Sequence, residues 1–172
     1  MMILRPACLD DAPALAALGR ASFCAAFEEL YRPEDLAVFL DETYGENAVA
    51  MEIAAPEFIH CLAEDSAGLS GYCKMRDPSG YAEYSSATRP IALGQLYTAP
   101  GMTGSGIGAA LMEWALGEAR ARGADAIQLS VYSENLGAQR FYQRYGFAKI
   151  ADIGFWVGEQ RDAEFLYELR LE

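Results

Sequence analysis

The chain has 172 residues, of which 52% are hydrophobic, and 25 acidic against 13 basic residues give a formal charge of -12. This length and apolar content predict one domain with a sizeable core, and they exclude disorder as the main state. The acidic balance argues against binding of nucleic acid, which needs clustered Lys and Arg, and it favours the approach of cationic small molecules.

The cysteines and the histidine follow no metal-binding pattern. None of the four cysteines forms a C-x-x-C pair, and His60 is the only histidine. We therefore expect no metal site and reduced cysteines, as in a cytoplasmic protein. The charged residues Arg5 and Asp10 interrupt any apolar run, such as a signal peptide would need, at the start of the chain. No apolar run elsewhere approaches the ~20 residues of a membrane span. We expect neither a signal peptide nor a membrane partner.

The first half of the chain mixes helices and strands. Asp10 and Asp11 are candidate N-cap residues for the first helix, and Pro13 suits its first turn. The predicted elements are a strand at 2–5, helices at 12–27, from 33 and at 46–54, hairpin strands at 58–63 and 69–75, and a flexible polar loop at 77–88.

The second half is more regular. Its predicted elements are a buried strand at 91–98, a glycine-rich turn at 101–108, a helix at 106–122, a strand at 126–131, a helix at 135–145 and strands at 148–157 and 164–171. Gly123 and Gly146 suit the positions just beyond the two helices. In the last strand, Phe165, Tyr167 and Leu169 alternate toward one side. This order predicts an α/β fold, with one mixed sheet covered by helices.

The glycine turn, Thr103-Gly104-Ser105-Gly106-Ile107-Gly108, joins a strand to a helix. Glycine lets the backbone approach a ligand closely, and the first N–H groups of a helix attract anions. Thr103 and Ser105 add hydroxyl donors. We expect a phosphate or pyrophosphate site here. Gly104, Gly106 and Ala109 also fit the dinucleotide fingerprint G-x-G-x-x-G/A, although the acidic residue that should end the next strand is missing.

The helix at 135–145 has a packing side and a separate polar edge. Asn135 and Tyr142 lie about 20° apart around the helix, two turns from each other. Ala138, Phe141 and Tyr145 form the adjacent apolar side. Four polar side chains are predicted to face solvent: Gln139, Arg140, Gln143 and Arg144.

Together these segments resemble the GCN5-related N-acetyltransferase (GNAT) superfamily. The resemblance rests on Gln95-Leu96-Tyr97-Thr98, then the glycine turn and its helix, then Asn135…Ala138…Phe141-Tyr142…Gly146-Phe147. It implies a single-domain GNAT-like mixed sheet over residues 1–172, whose central parallel strands, 91–98 and 126–131, splay apart. It also implies acetyl-CoA-dependent acetylation of an amine.

The resemblance assigns roles to particular residues. The main chain of Leu96 and Thr98 would pair with the pantetheine arm of acetyl-CoA. Asn135 would bond the pantetheine, and Tyr142 would protonate the departing sulfur. The full implied acetyl-CoA site is Leu96, Tyr97, Thr98, Thr103, Gly104, Ser105, Gly106, Ile107, Gly108, Asn135, Ala138 and Tyr142.

Two positions depart from the pattern of the family. The family usually has Gln or Arg where Thr103 stands, and many members carry a glutamate on the strand before the glycine turn, where residues 91–95 hold no carboxylate. A general base must therefore come from elsewhere. The candidates are His60, Glu28, Glu29, Tyr31, Glu83 and Tyr84, with His60 more typical of a structural residue.

Two further segments bear on the identity of the acceptor. Residues 27–44 and the segment from Phe155 to Leu169 look like bacterial polyamine acetyltransferases, which makes a small polyamine-like amine the first choice and a protein N-terminus or lysine the second. Two alternatives remain: an oxidoreductase that binds a dinucleotide at the glycine turn, and a non-catalytic acyl-CoA-sensing domain. The apolar segment Phe155-Trp156-Val157 is a candidate homodimer contact.

Overall fold

The computed structural model describes every residue from Met1 to Glu172 and contains one seven-stranded mixed sheet with helices on both faces. The strands are β1 (Ile3–Pro6), β2 (Phe58–Asp65), β3 (Gly68–Arg76), β4 (Pro90–Thr98), β5 (Ala126–Tyr132), β6 (Ala148–Val157) and β7 (Gln160–Arg170). The helices are α1 (Ala12–Phe27), α2 (Pro33–Tyr44), α3 (Glu46–Ala54), α4 (Ile107–Ala121) and α5 (Leu136–Arg144). No helix is long and apolar enough to cross a bilayer.

The sheet opens at its centre. The strand order is β1-β2-β3-β4-β5-β7-β6, and only β4 and β5 run parallel. They pair over just three positions, from Pro90 with Ala126 to Ala92 with Gln128. Beyond that point the two strands diverge, whereas β5 continues to pair with β7 along its whole length. The predicted α/β sheet with splayed central parallel strands is therefore confirmed.

Each face of the sheet has its own apolar core. On one face α4 and α5 cover the main cluster, in which Leu111 and Met112 of α4 pack against Ile127 and Leu129 of β5. On the other face α1, α2 and α3 pack against the sheet in two smaller clusters, one of them centred on Leu62, Tyr72 and their helical neighbours. Because side chains alternate along a strand, neighbouring residues of β5 face opposite helix layers.

The predicted residues of the last strand face the main core. Phe165, Tyr167 and Leu169 pack against the cluster under α4. The strand begins earlier than predicted, at Gln160 rather than at residue 164, because its pairing with β6 continues to Val157. The positive φ of Gly123 and Gly146 ends α4 and α5 as expected.

Three local predictions are wrong. Asp11 stands at the N-cap position of α1, but its side chain makes no capping bond: its carboxylate accepts hydrogen bonds from Cys8 N–H and from Arg5, both at 2.8 Å, and so closes the turn before the helix. Gln139 does not face solvent, because its buried amide donates to the carbonyls of Tyr132 and Ser133.

The third concerns the loop at 77–88, which is anchored rather than flexible. The buried Ser79 hydroxyl donates to Gln128 on β5 at 2.6 Å, and Gln128 in turn donates to Glu168 on β7 at 2.8 Å. At the far end of the loop, Thr88 N–H donates to Asp125 at 2.7 Å. This chain of bonds holds the loop, and with it Tyr81, against the sheet.

Candidate active site

The divergence of β4 and β5 creates a cavity of about 810 Å³. Most of its lining side chains are hydrophobic, which is usual for a small-molecule site. Tyr142 and Asn135 line it from the α4–α5 side, while Phe27 and Tyr81 line it from the side of α1 and the 77–88 loop. The cavity is therefore lined from both faces of the sheet, between the diverging strands.

Beyond the paired region, β4 presents unpaired main-chain groups to the cavity. Ala99 N–H bonds the carbonyl of Ser70 on β3, and alternation in an antiparallel ladder then turns the Tyr97 main chain toward β3 as well. The N–H and C=O groups of Leu96 and Thr98 consequently point toward the gap. The Thr98 carbonyl accepts one bond, from the Ser22 hydroxyl at 3.4 Å.

The Tyr97 side chain lies on the other face of the sheet from Leu96. It packs against Tyr72 with ring centroids 5.8 Å apart, within the cluster under α1 and α3. Its main chain bonds β3, so Tyr97 offers the gap no main-chain group. Tyr97 is nevertheless one of the residues that line the cavity.

The glycine turn has the geometry of an anion site. Gly104 and Gly106 have φ of +81° and +87°, which favour glycine, and a Cβ at either position would meet no protein atom within 4 Å. Helix α4 begins directly after Gly106, and its first internal bond is Ala110 N–H to Gly106 C=O. The N–H groups of Ile107 and Gly108 are therefore free to bind an anion, and the helix dipole favours one.

The hydroxyls of the turn behave differently from one another. Ser105 donates its hydroxyl to the Met102 carbonyl and so closes the turn, which corrects the prediction that it is a free donor. Thr103 lines the cavity and makes no side-chain hydrogen bond within the protein. The Ile107 side chain is buried in the main core, so only its N–H can contact a ligand.

Helix α5 brings Asn135 and Tyr142 to the same wall. The Asn135 carbonyl oxygen caps the helix by accepting a bond from Ala138 N–H at 3.2 Å, so its amide NH₂ is the group left for a ligand. The Tyr142 hydroxyl has no hydrogen-bond partner in the protein. Burial raises the pKa of Tyr142, with Tyr97 adding to the rise, and the phenol is therefore protonated at neutral pH.

The structure brings seven of the twelve predicted residues to the cavity wall. These are Leu96, Tyr97, Thr98, Thr103, Asn135, Ala138 and Tyr142. The other five, Gly104, Ser105, Gly106, Ile107 and Gly108, form the turn and first residues of α4 beside the rim at Gly101 and Thr103.

Most of the candidate bases lie elsewhere. Glu28, Glu29, Glu83 and Tyr84 are exposed and do not line the cavity. His60 is buried in β2, and burial together with Lys74 lowers its pKa to about 4, so it is neutral at pH 7. Tyr31 does line the cavity, but its hydroxyl donates to Asp162, and burial and that bond raise its pKa.

One carboxylate faces the cavity, and it is Glu164 of β7. The Ser130 hydroxyl on β5 donates to it at 2.8 Å. Burial raises the pKa of Glu164 to about 7; the Ser130 bond opposes the rise and Asp162 adds to it. The cavity also holds two cations: Lys74, which is paired with Glu52 at 2.7 Å, and Arg76, which makes no salt bridge.

Comparison with known proteins identifies the family. The model of the acetyltransferase (GNAT) family matches residues 24–147, which span the glycine turn, both cavity strands and α5. The chain belongs to the GNAT family of acetyltransferases. Within the chain, no group of three or more His, Cys, Asp or Glu side chains could hold a metal ion.

This acetyltransferase is similar to full-length relatives. It is 28% identical over 171 residues to an uncharacterised N-acetyltransferase of Lactobacillus delbrueckii subsp. lactis, with 94% of this chain and 92% of that one covered. The PaiA N-acetyltransferase of Thermoplasma acidophilum, solved with coenzyme A, shares the fold with a TM-score of 0.81, 19% identity and 99% coverage of both chains. The yncA protein of Salmonella typhimurium, solved with acetyl-CoA, has a TM-score of 0.71, 19% identity and coverage of 100% and 95%.

Glu164 is the site residue that sequence reasoning missed. Its alternation with Phe165 and Tyr167 already set it on the face away from the main core. What placed it in the cavity is its pairing with Tyr132 across β5 and β7, a contact between segments 32 positions apart in the chain. A carboxylate on the polar side of a predicted core strand was the available signal.

The acetyltransferase offers a direct test of the glycine turn. We expect Gly106→Ala to lower the free energy of unfolding by roughly 1–2 kcal/mol, because alanine is strained at positive φ. It should also weaken coenzyme A binding at least about tenfold, since the new methyl occupies the open space beside the free N–H groups. Chemical unfolding and isothermal titration calorimetry measure the two effects.

Gly117→Ala is the matched control. Gly117 lies in the exposed middle of α4, its φ is ordinary for a helix, and a Cβ there meets nothing within 4 Å. This change should stabilise the protein by up to about 1 kcal/mol and leave affinity unchanged. Equal affinity of the Gly106→Ala and Gly117→Ala proteins would exclude the turn as the anion site.

Proposed function

We propose that the chain transfers an acetyl group from acetyl-CoA to a primary amine, with both substrates bound in one cavity. The observation that carries this proposal is the gap between β4 and β5, which has an anion site and Tyr142 on one side and Glu164 on the other. Holding two reactants in one cleft supplies much of the rate enhancement of such reactions.

The α4–α5 side fits acetyl-CoA. A pyrophosphate suits the N–H groups at the start of α4, and an extended pantetheine arm suits the main chain of Leu96 and Thr98, which faces the gap without a partner strand. The amide of Asn135 would donate to the arm. The acetyl-CoA supplies the activated acyl group. Because Thr103 stands where the family usually has Gln or Arg, the backbone N–H groups would hold the phosphates.

Two groups of the protein act on the reacting thioester. The Leu96 N–H, which points into the gap, would donate to the carbonyl oxygen as negative charge develops there. Tyr142, protonated at neutral pH and without a partner in the protein, would give its proton to the departing sulfur. Burial keeps this phenol in the acid form that the role requires.

The acceptor side supports a small amine. Phe27, Tyr81 and Tyr132 provide aromatic walls, which attract alkylammonium groups, and Glu164 provides a negative charge. A polyamine-like acceptor stays our first choice. Arg76 favours a second: an acceptor that carries a carboxylate beside its amine, as amino acids and some peptides do.

Two further predictions complete the proposal. The four cysteines are free thiols, two of them buried, which suits a reducing cytoplasm. Phe155 and Trp156 are exposed on β6 at the edge of the sheet, so a homodimer contact there stays a prediction for measurements of mass in solution.

Ligand binding and turnover test the function against its alternatives. We expect acetyl-CoA and coenzyme A at about 100 times their Kd to raise Tm by roughly 5–10 °C, and NAD to raise it little. Thiol release should follow addition of at least one amine from spermidine, spermine, free amino acids and peptides with a free N-terminus or lysine. Stabilisation by NAD alone would favour the oxidoreductase, and binding without any thiol release would favour the sensing domain.

The role of Tyr142 is tested by removing its hydroxyl. We expect Tyr142→Phe to lower kcat at least about tenfold, because the departing thiolate loses its proton donor, with little change in affinity for acetyl-CoA. Steady-state kinetics and calorimetry separate the two quantities.

Tyr145→Phe is the control for the same helix. Tyr145 packs against Phe141 in the main core, with ring centroids 5.2 Å apart, and does not line the cavity. We expect loss of the Tyr145 hydroxyl to leave kcat within about twofold of the wild-type value. Turnover by the Tyr142→Phe protein at the same rate as by the Tyr145→Phe protein would exclude Tyr142 as the acid.

A further inference from the structure

Glu164 occupies a distinctive place in the cavity. It is the only carboxylate among the lining side chains, and it lies on the face of the sheet opposite the main core under α4 and α5. Tyr142 reaches the cavity from that core side. The Tyr142 phenol and the Glu164 carboxylate thus approach the gap between β4 and β5 from opposite faces of the sheet.

The surroundings of Glu164 hold it in one position. The Ser130 hydroxyl donates to its Oε1 at 2.8 Å from the neighbouring strand. Asp162, two residues before it, is bonded by the hydroxyl of Tyr31 and by the Gln160 amide at 2.9 Å. Asp162 is therefore satisfied by its own donors, while the Oε2 atom of Glu164 has no partner in the protein.

We propose that Glu164 is the general base of the transfer and accepts a proton from the acceptor ammonium before attack on the thioester. This inference rests on the proposed function and supplies the base that the strand before the glycine turn lacks. It also gives a role to a carboxylate that stands among aromatic walls, which attract alkylammonium groups.

The protons balance. An ammonium acceptor has three N–H protons and the amide product keeps one. Glu164 takes the first, which frees the nitrogen lone pair to form the C–N bond, and later releases this proton to solvent. Tyr142 gives its proton to the sulfur as the C–S bond breaks, and the second nitrogen proton restores the phenol through water.

The ionisation of Glu164 suits this task. A base that works near neutral pH is most effective with a pKa close to that pH, and burial raises the pKa of Glu164 to about 7. Below that pH the carboxyl is protonated and cannot accept, so activity should rise as pH increases through about 7. The titratable or charged groups around it are Asp162 on β7, Tyr31 after α1, Tyr81 with the nearby Arg76, Tyr97 on β4 and Tyr132 on β5.

The test is the pH profile of kcat/KM for spermidine, or for the fastest acceptor of the amine panel, at saturating acetyl-CoA. We expect Glu164→Gln to lower this value at pH 7 by about 10²-fold or more and to abolish the inflection near pH 7. The loss should shrink at pH 9–10, where more of the amine is already neutral. Calorimetry should give the same acetyl-CoA affinity for both proteins.

Ser130→Ala gives a second readout, the pH of the inflection, which should not change if Glu164 has only a structural role. Loss of its hydrogen bond removes a contact that stabilises the charged carboxylate, so the inflection should move to higher pH while activity above it persists. Glu113 is exposed on α4 and does not line the cavity. Glu113→Gln removes the same charge there and should change neither kcat/KM nor the pH of the inflection.

The outcomes distinguish failure of the Glu164 assignment alone from failure of the proposed function. A wild-type protein that acetylates an amine, with Glu164→Gln matching its rate and its inflection, overturns the role of Glu164 alone. A wild-type protein that binds acetyl-CoA but acetylates no amine overturns the proposed function, and the base assignment with it. Loss of activity in Glu164→Gln with an inflection still near pH 7 also overturns the assignment.

Discussion

The separation of β4 from β5 is the constraint on which the rest of the site depends. The two strands share only three paired positions, so the main chain beyond Ala92 has polar groups without a partner strand. Buried peptide groups need hydrogen bonds, and an extended ligand can supply them as an added strand would. Without this divergence there would be no cavity beside the turn at the start of α4.

The two faces of the sheet divide the chemistry. Alternation along β5 and β7 sends Ile127 and Phe165 to the core under α4, and Ser130 and Glu164 to the opposite layer. The glycine turn and Tyr142, which we propose bind acetyl-CoA, belong to the first layer, and the aromatic walls of the proposed acceptor side belong to the second. The net charge of -12 repels the anionic coenzyme A, so we propose that backbone N–H groups of the glycine turn attract its phosphates. The single carboxylate that lines the cavity lies on the proposed acceptor side.

The mixed sheet with splayed strands was predicted from the resemblance to the GNAT superfamily, whereas the residue patterns themselves predicted local features. The glycine turn before α4 and the placement of Asn135 and Tyr142 on one edge of α5 follow from rules that act within a few residues, and the structure has both. The missed features depend on hydrogen bonds between separate elements, some neighbouring and some distant in the chain. Gln139 is buried because the strand before its helix offers carbonyl groups, and Ser79 fixes its loop because β5 places Gln128 beside it. Periodicity carries no information on such partners.

In the proposed complex, coenzyme A binds between the diverging strands with its phosphates at the start of α4. The most direct measurement is a titration of the ¹⁵N-labelled protein with coenzyme A, followed by amide NMR shifts. We expect the largest shifts at Leu96, Thr98 and the amides of 104–108, with little change at Gly68 in the β2–β3 turn. Shifts concentrated outside these segments, or the same pattern produced by NAD, would contradict the account.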